Sequence, residues 1–498
     1  MTQARDPAAP KRVLVAGAGI SGLSAAYHVA STRPELELLV VDSRSRPGGN
    51  IETERRDGFL LDGGPDSFLR TKPEAAALCE QLGLAGDLMT TLPTAHRTYV
   101  GYQGRLVPLP AGMALAVPTR IGPMVSTPLL SWPGKLRVLG DLFAEPRVAS
   151  EDETVAAFLA RHFGVEVTQH LAGPLLGGIF AGDIEELSIQ STFPQLVELE
   201  RKHGSLIRAL FAAERARAAQ AQGKPAPNGE DPFDPAELWN LLLWLRREYR
   251  SVPSPFLSLS RGMGSLIDEL TARLPKTALR LGRRVESLER LPDGRWRVQL
   301  DSDSVEIVDR VICAMPAHAA ASAFSQYPVA TQLSLVPYVS TATVFFALAR
   351  APKSCNLDGS GFIVPRQEGR VLASTWISSK WGGRVPEGPA VLIRAFLGGA
   401  REPDLVESAT DEDLLTIARD ELTRFMGPLD AILFTRVFRW HRANPQPTVG
   451  HGARLRKIEQ MLQDTPGITL AGSGYDGVGI PDCIRRGRTA ALAALEGL

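Results

Sequence analysis

Cysteine is scarce in this sequence, and its few cysteines are widely separated. The chain of 498 residues holds four, Cys79, Cys313, Cys355 and Cys483, with no Cys-x-x-Cys pair. A disulfide framework is unusual in a chain of this size, so we expect a reducing compartment, the cytoplasm. The eight histidines form no His-x-His or His-Glu-x-x-His pattern, and no metal site is predicted.

An excess of charge of one sign is also lacking. The chain has 55 basic and 55 acidic side chains, whereas a protein that grips nucleic acid needs a net basic face. Nucleic acid is therefore excluded as a partner. No uninterrupted apolar run reaches the length of about 18 residues that a membrane-spanning helix needs, so no such helix is expected. Apolar residues make up 44% and charged residues 22%, as in an average globular protein, and the length predicts about two to four domains.

A glycine-rich motif near the N-terminus gives the first indication of function. Gly17-Ala18-Gly19-Ile20-Ser21-Gly22 directly follows a predicted buried strand, Arg12–Ala16, and opens a predicted helix, Ser21–Ser31. The first glycine permits a tight turn, the second lets a pyrophosphate approach the backbone, and the third lets helix and strand pack closely. The phosphate then meets the positive end of the helix.

An acidic residue completes this strand–helix–strand unit. Asp42 ends a second predicted strand, Glu37–Asp42, and lies 20 residues after Gly22. A carboxylate at this place can bond the ribose hydroxyls of a dinucleotide. We favour dinucleotide binding over a purely structural glycine turn because the strand, the glycines, the helix and the acid all fit it.

Two more glycine-rich segments follow. They are Arg46-Pro47-Gly48-Gly49 and Asp62-Gly63-Gly64-Pro65-Asp66-Ser67. A nicotinamide site does not require them, and they suggest a larger ligand whose phosphates are wrapped from two sides. These residues resemble the opening of the FAD-dependent amine oxidase and desaturase superfamily. It is this resemblance that implies FAD as the cofactor.

The C-terminal segment narrows the resemblance. Leu470–Gly487 reads LAGSGYDGVGIPDCIRRG, a strand, a glycine loop and a helix start. With the GGIFAGD segment at Gly177–Asp183, it resembles the oxygen-dependent protoporphyrinogen oxidases of the bacterial HemY type. The similarity covers nearly the whole chain. The chain departs from the family pattern at Asp42, where glutamate is more common, and at an apparent insertion, 212–235.

The resemblance implies an activity in haem biosynthesis. This is the six-electron oxidation of protoporphyrinogen IX to protoporphyrin IX, in which FAD accepts hydride equivalents and O2 becomes H2O2. Because the bound flavin carries the difficult chemistry, no catalytic acid or base is nominated. Oxidation of coproporphyrinogen III, which has four propionates instead of two, is left open because the stretch Trp376–Trp381 is similar to enzymes that do this. Two further functions also stay open, that of an amine oxidase or carotenoid desaturase and that of a non-catalytic binding relative.

The resemblance also implies which residues contact the ligands. Those implied for FAD are Gly17, Ala18, Gly19, Ile20, Ser21, Gly22, Asp42, Ser43, Arg46, Gly49, Gly64, Pro65, Asp66, Ser67, Val285, Trp440, Val478, Gly479 and Ile480. For the substrate, Arg97 is expected to bind a propionate, Gly178 to let a pyrrole approach the backbone, and Phe362 and Trp376 to wall an apolar slot. Cys483 lies where some amine oxidases attach flavin, but its Pro-Asp-Cys context implies a non-covalent cofactor.

We expect an α/β fold with α+β elements, in three parts. These are a Rossmann-like FAD-binding domain of the amine oxidase and glutathione reductase type, a mixed-sheet substrate domain and a helical subdomain. The FAD-binding domain is assigned 11–90, 237–330 and 446–498, the helical subdomain 91–210, a flexible insertion 211–236, and the substrate domain 331–445.

The apolar, proline-rich segment 105–143 has two interpretations. It forms either a helical subdomain with its own core, or a surface that touches a membrane or lines a channel for an apolar ligand. The expected partners are the porphyrinogen and O2. Peripheral contact on the cytoplasmic face of a membrane and a homodimer are left open by the sequence.

Overall fold

The computed structural model describes residues 10–114, 117–147, 151–221, 223, 235–246 and 254–498. Its strands are β1 (Arg12–Ala16), β2 (Glu37–Asp42), β3 (Thr53–Arg56), β4 (Phe59–Asp62), β5 (Phe68–Leu69), β6 (Leu88–Thr90), β7 (Tyr99–Tyr102), β8 (Arg105–Pro108), β9 (Met113–Ala114), β10 (Val117–Pro118), β11 (Phe256–Leu259), β12 (Leu279–Leu281), β13 (Val285–Arg290), β14 (Trp296–Leu300), β15 (Ser304–Val308), β16 (Arg310–Cys313), β17 (Tyr338–Leu348), β18 (Gly361–Ile363), β19 (Ala373–Trp376), β20 (Val391–Gly398), β21 (Ile432–Pro445) and β22 (Ile468–Leu470).

The α-helices in the same ranges are α1 (Ile20–Thr32), α2 (Pro73–Gln81), α3 (Ile121–Ser126), α4 (Trp132–Leu139), α5 (Val155–Phe163), α6 (Val165–Val167), α7 (Gly173–Phe180), α8 (Ile189–Thr192), α9 (Pro194–His203), α10 (Leu206–Ala221), α11 (Pro235–Arg246), α12 (Gly264–Ala272), α13 (Ala317–Ala323), α14 (Val329–Ser334), α15 (Ile377–Lys380), α16 (Leu405–Ser408), α17 (Asp411–Met426), α18 (His451–Gln463) and α19 (Ile480–Leu495). None of these described helices is long and apolar enough to cross a membrane.

A parallel sheet brings the two ends of the chain together. Its strand order is β12–β2–β1–β16–β22, and β1 and β2 are apolar runs that are buried almost throughout, as expected for parallel strands covered on both faces. Helices α1 and α19 pack side by side, so closely that a Cβ at Gly487 would overlap the carbonyl oxygen of Ser21. The start of the first helix therefore packs against the middle of the last helix.

A mixed sheet of seven strands forms the second layer, in the order β21–β17–β20–β19–β18–β7–β8. Because side chains alternate along each strand, the sheet has two faces. The outer face packs against α17 through residues such as Ile393 and Phe362. The inner face packs against β4 through Phe345 and Trp440 and against the helical region through Ile363.

Helices α3 to α11 surround a core of their own. This core includes Phe158, Leu176 and Leu206, and α6, a π-helical turn at Thr168–Ala172 and α7 form one continuous helical run through it. Part of the segment 105–143 enters this core, but its residues Trp132 and Leu136 are each 67% exposed. The segment thus contributes both to a helical core and to an exposed apolar surface.

The predicted insertion is partly helical, which corrects the expectation of a flexible segment. Helix α10 extends to Ala221, so residues 212–221 are helical, while 224–234 lie outside the described residues. An alanine-rich composition suggests a linker, but alanine is also the best helix former. Helix α11, predicted as part of the FAD-binding domain, places Leu241 and Leu245 in the helical core instead. The remaining domain boundaries stay predictions.

Candidate functional site

The first glycine loop has room for a ligand at one glycine and none at the other two. A Cβ at Gly22 would overlap the carbonyl oxygen of Gly17, and Gly17 itself has φ of +110° with the carbonyl oxygen of Ala314 2.7 Å from where its Cβ would be. At Gly19 the nearest atom to such a Cβ is Gly49 Cα at 3.9 Å. Gly17 and Gly22 are therefore glycines for packing, whereas Gly19 leaves open space.

Helix α1 begins directly at this open position. Its N-cap is Gly19, no side chain caps it, and its first turn carries no acid. The free backbone N–H groups and the positive end of the helix dipole suit a phosphate. Ile20 starts the helix, and Ser21 is buried against α19.

The carboxylate of Asp42 is already engaged at this loop. Its Oδ2 accepts the Ala18 N–H at 2.7 Å and its Oδ1 accepts the Arg44 N–H at 2.8 Å. Ser43 beside it is exposed. The turn that leads to Val285 is close by, since Arg283 N–H donates to the Asp42 carbonyl at 2.9 Å. The structure thus brings together Asp42, Ser43 and the turn that leads to Val285, all three of which the resemblance implies for FAD.

The second glycine loop is joined to the first by backbone contacts. Gly48 N–H donates to the Ala18 carbonyl at 2.7 Å. Arg46 folds over its own loop, donating to the Ile51 carbonyl at 3.1 Å and the Gly49 carbonyl at 3.0 Å, and it lies 5.9 Å from the Trp440 ring centroid. In this arrangement Arg46 holds the loop in shape.

The segment Gly63–Ser67 meets the inner face of the mixed sheet. A Cβ at Gly64 would overlap the Asn50 carbonyl oxygen. The indole N–H of Trp440 donates to the Gly63 carbonyl at 3.1 Å, and Arg394 donates to the Gly64 carbonyl at 2.8 Å. These two hydrogen bonds join the FAD-binding layer to the substrate layer, where the resemblance places the flavin ring. Pro65, also implied for FAD, is the next residue of this segment.

A buried cluster of charges lies behind this segment, and the sequence motifs do not reveal it. Asp66 pairs with Lys380 at 3.0 Å and with Arg394 at 3.2 Å, and its carboxylate also accepts the indole N–H of Trp381 at 3.1 Å. Burial alone would raise the pKa of the Asp66 carboxyl, but the two cations outweigh it and hold the pKa well below its usual range. One signal is present in the sequence: Arg394 interrupts the otherwise apolar strand VLIRAFLG.

The cluster carries more positive than negative charge. Arg384 is 1% exposed and pairs with Asp62 at 3.2 Å. That gives Lys380, Arg384 and Arg394 against Asp62 and Asp66. Among the described residues, no acceptor is found for Nε and Nη1 of Arg384 or for Nε of Arg394. Such buried cations depend strongly on their few carboxylate partners.

The C-terminal loop leads into a second helix whose N-terminus no side chain caps. The N-cap of α19 is Gly479, no side chain caps it, and Ile480 begins the helix. Val478 packs against the helical core. Asp482 in the first turn is held by Lys72, whose Nζ lies 2.6 Å from its Oδ2. The two packed helices α1 and α19 thus both begin without a side-chain cap, and two such starts suit an elongated ligand with a pyrophosphate.

Gly178 lies on the wall of a cleft of about 360 Å³. The cleft separates α7 and the turn after it from the connection between β18 and β19; its lining includes Gly173, Pro174, Gly177, Asp183, Ile184, Arg366, Leu372 and Arg401. A Cβ at Gly178 would meet no atom within 4 Å. The backbone at Gly178 is thus open to a flat ligand.

The other three residues predicted for the substrate do not reach this cleft. Phe362 and Trp376 are 2% and 1% exposed and belong to the core on the outer face. Arg97 pairs with Asp358 at 3.0 Å, and the Tyr99 hydroxyl, next to Trp376, donates to the same carboxylate at 2.6 Å. Arg97 therefore lies on the outer face as well. The register of the strands, which the sequence does not reveal, decides which face these residues occupy, and their roles in substrate binding stay predictions.

Arg366 is the cation that the structure places in the cleft instead. It lies three residues after Ile363, the last residue of the buried strand β18, and faces Gly178 across the cleft. The sequence offers a weak signal, because an arginine after Val364-Pro365 stands at a turn that ends a buried strand. The family resemblance pointed to Arg97 and gave no reason to select Arg366.

The fold and these loops define a dinucleotide-dependent enzyme that is built from a parallel-sheet layer, a mixed-sheet layer and an attached helical region. The chain belongs to the family of flavin containing amine oxidoreductases, whose family model matches residues 20–495. Its cofactor is accordingly FAD.

The similarity to known proteins extends along nearly the whole chain. A coproporphyrinogen III oxidase of Bacillus subtilis is 33% identical over 97% of this chain and 98% of its own. A protoporphyrinogen oxidase of Homo sapiens is 30% identical over 97% of this chain and 98% of its own. The crystal structure of an assigned protoporphyrinogen oxidase from Exiguobacterium sp. 255-15 superimposes with a TM-score of 0.82 at 29% identity, covering 97% of this chain and 98% of that one.

Proposed function

We propose that this protein is a FAD-dependent porphyrinogen oxidase of haem biosynthesis. FAD, when bound, accepts hydride equivalents from the substrate and delivers them to O2. The protein's own task is then to hold the cofactor, to admit a large flat ring and to exclude water from it. The names of the similar proteins support this proposal, since they act on porphyrinogens.

The position of Gly178 is the observation that carries the proposal. Its exposed backbone lies on the wall of a cleft, and nothing within 4 Å occupies the place of a side chain. A flat tetrapyrrole can lie close against backbone that carries no side chain, as at Gly178. The cleft is close to the substrate layer, because the Ala400 N–H, next to the cleft residue Arg401, donates to the Ala181 carbonyl at 2.8 Å.

Two substrates are candidates. Protoporphyrinogen IX is the substrate that the sequence resemblance implied. Coproporphyrinogen III is favoured by two observations: the Bacillus subtilis relative is named for it, and two arginines, Arg366 and Arg401, line the cleft, which suits a substrate with more carboxylates.

Anaerobic spectroscopy of the purified protein tests the function and chooses the substrate. We expect a flavin spectrum that is bleached by one porphyrinogen, followed by porphyrin fluorescence and peroxide when air is admitted. Flavin that responds to neither porphyrinogen would contradict the proposal and favour an amine oxidase or desaturase. Protein without flavin after reconstitution would favour a non-catalytic binding relative.

We also propose that the cofactor is held without a covalent bond. Burial raises the pKa of the Cys483 thiol to about 11, so this thiol stays protonated and is a poor nucleophile. After acid precipitation, the flavin should appear in the supernatant. Flavin that stays with the precipitate would contradict this proposal.

A third proposal concerns the exposed apolar surface of α4, which we expect to touch a membrane. Trp132 and Leu136 are each 67% exposed and Phe143 is 68% exposed. Trp132 and Leu136 line an apolar groove together with Lys135, whose Nζ lies 4.8 Å from the Trp132 ring centroid. Aromatic and leucine side chains next to cations are typical of proteins that lie on anionic lipid.

Sedimentation with lipid vesicles tests this contact. We expect the wild type to bind phosphatidylcholine vesicles that contain phosphatidylglycerol, and the double variant W132S/L136S to lose most of this binding. The control is L335S/L433S, which removes two leucines that are 52% and 55% exposed elsewhere. Equal binding by both variants would contradict membrane contact through α4.

A further inference from the structure

The connection between β18 and β19 holds Arg366 at the mouth of the cleft. Arg401 donates to three carbonyl oxygens of this connection, those of Gly369 and Val371 at 2.9 Å each and that of Val364 at 2.7 Å. At its far end the Gln103 N–H donates to the Glu368 carboxylate at 2.8 Å. The connection is thus fixed from two sides, and Arg366 projects from a rigid support.

The side chain of Arg366 is available to a ligand. It is 59% exposed and pairs with Asp183, which is 20% exposed and lies in the turn after α7. Among the described residues, Asp183 is the one carboxylate that pairs with Arg366. Ion pairs with this much exposure contribute little to stability, so the arginine can leave its partner at small cost.

The partner of Arg366 is itself held by the fold. The Oδ1 of Asp183 accepts the Glu185 N–H at 3.0 Å, so the carboxylate keeps a hydrogen bond when the arginine leaves. The ion pair also bridges the two walls of the cleft, since Asp183 belongs to the α7 wall and Arg366 to the opposite wall. A ligand that enters the mouth therefore meets this pair.

The second arginine of the mouth strengthens the local positive charge. Burial lowers the pKa of the Arg401 guanidinium to about 10, and the nearby charge of Arg366 adds to this shift. Two guanidinium groups this close together favour a ligand that brings negative charge. Asp183 and Glu185 are the two acids among the lining residues, so a ligand carboxylate that takes the place of Asp183 meets both guanidinium groups.

We infer that Arg366 binds a carboxylate of the substrate, in exchange for Asp183. The inference rests on the proposed function, because it assumes a flat ring that lies on the backbone at Gly178. A propionate at the edge of that ring would point to the mouth of the cleft. A guanidinium group can bind such a carboxylate with two parallel hydrogen bonds, and no covalent bond is made or broken.

Porphyrin binding tests this without requiring turnover. The probes are coproporphyrin III and its tetramethyl ester, which keeps the ring but lacks the charges, followed by their fluorescence. Arg366→Gln should weaken binding of the free acid about fivefold, as expected for an ion pair at a partly exposed arginine, and leave the ester unchanged. Arg366→Lys should recover part of the loss. Asp183→Asn should bind the free acid at least as tightly as the wild type.

Arg370 provides a matched control on the same connection. Its side chain is 48% exposed and pairs with Glu402, and it is not part of the cleft lining. Arg370→Gln should bind both probes as the wild type does. In turnover, Arg366→Gln should raise KM and largely keep kcat, because it removes a contact that the ground state and the transition state share.

The outcomes separate this inference from the proposed function. If the wild type oxidises a porphyrinogen but R366Q and R370Q bind coproporphyrin III equally, the inference is overturned and the function stands. Equal losses for the acid and its ester in R366Q would also overturn it. If the wild type oxidises neither porphyrinogen, yet R366Q loses the acid selectively, the function falls and the carboxylate contact stands. A wild type that neither oxidises porphyrinogens nor binds the porphyrin overturns both.

Discussion

Lys72 and Asp482 lie 410 residues apart in the sequence and meet in an ion pair, with Nζ 2.6 Å from Oδ2. Lys72 directly precedes α2, and Asp482 lies in the first turn of α19. The pair neutralises an acid at a helix start that is otherwise suited to an anion. The pair thus joins the two ends of the chain at a helix start where we predict the FAD to bind.

The variant Lys72→Met should therefore weaken FAD binding. It leaves the Asp482 carboxylate, which is 10% exposed in its side chain, without its ammonium partner and close to the cofactor phosphates. Because Lys72 is partly exposed, we expect a loss of about 1 kcal/mol, or roughly fivefold in affinity. Titration of the apoprotein with FAD measures it. Lys353→Met, at an exposed lysine, is the control, and equal affinities for the two variants would contradict the role of the pair.

Two alanine variants should separate the cofactor glycine from a packing glycine. Gly19→Ala should fold with nearly unchanged apoprotein stability, since its Cβ has no atom closer than 3.9 Å, but FAD affinity should fall about tenfold or more because the Cβ occupies the phosphate position. Gly22→Ala should fail to fold stably, since its Cβ would overlap the Gly17 carbonyl oxygen. Thermal unfolding and FAD titration measure both effects. A folded Gly19→Ala that binds FAD normally would contradict the assignment of the cradle.

Removing the buried carboxylate of Asp66 should destabilise the protein strongly. Asp66→Asn leaves Lys380 and Arg394 buried without their shared anion, and breaking a buried pair in this way costs about 3–5 kcal/mol. The double variant D66N/K380M should recover part of this loss because one unpaired cation is removed. Urea unfolding measures the free energies. A double variant that is less stable than D66N would show that Lys380 stabilises the fold through other contacts.

The stability of the helical region should depend on pH through His162. Its Nδ1 lies 2.5 Å from Asp141 and its Nε2 3.3 Å from Glu200. Burial lowers the pKa of His162, but these two acids outweigh burial and raise it above the ordinary value of 6.5. The protonated pairing therefore contributes fully below about pH 6.5 and is lost as the pH rises through the folded-state pKa.

The comparison with His162→Gln measures this contribution. The wild type should exceed the variant in free energy of unfolding at about pH 6, and the difference should shrink towards about pH 9. Urea titrations at several pH values follow it. His441→Gln is the control, because that histidine is 55% exposed in its side chain. A difference between wild type and H162Q that grows with pH would contradict a raised pKa for His162.

The elements of the parallel sheet could be predicted from the sequence because their signals are local. The strand Arg12–Ala16 is confirmed to the residue, and the helix predicted over Ser21–Ser31 extends by one residue at each end, as Ile20–Thr32. Apolar runs without polar alternation, followed by glycines that permit a single turn geometry, leave little choice of structure. The family and the cofactor followed from the same glycine motifs.

The direction of a side chain could not be read from the sequence. The resemblance implies Arg97, Phe362 and Trp376 for one substrate slot, and the structure places all three on the outer face of the mixed sheet, away from the cleft, so their contacts with the substrate stay predictions. A shift of one residue moves a side chain from one face of a strand to the other, and no local pattern fixes this for the short strands β7, β18 and β19. The backbone at Gly178 is open, and its contact with a pyrrole stays a prediction. The cleft beside it arises from the packing of α7 against a connection that is distant in the sequence.

The sequence by itself determined the dinucleotide fold and the places where the cofactor loops begin, since these depend on glycine sterics and on runs of apolar residues. The flavin family followed from the resemblance of its motifs to known proteins. The tertiary structure alone decided which charged groups meet. It buried Asp66 with Lys380 and Arg394, paired Lys72 with Asp482, and placed Arg366 rather than Arg97 at the cleft. Each of these contacts joins residues that are far apart in the chain, and their distance is set by sheet register and layer packing, which no short segment encodes.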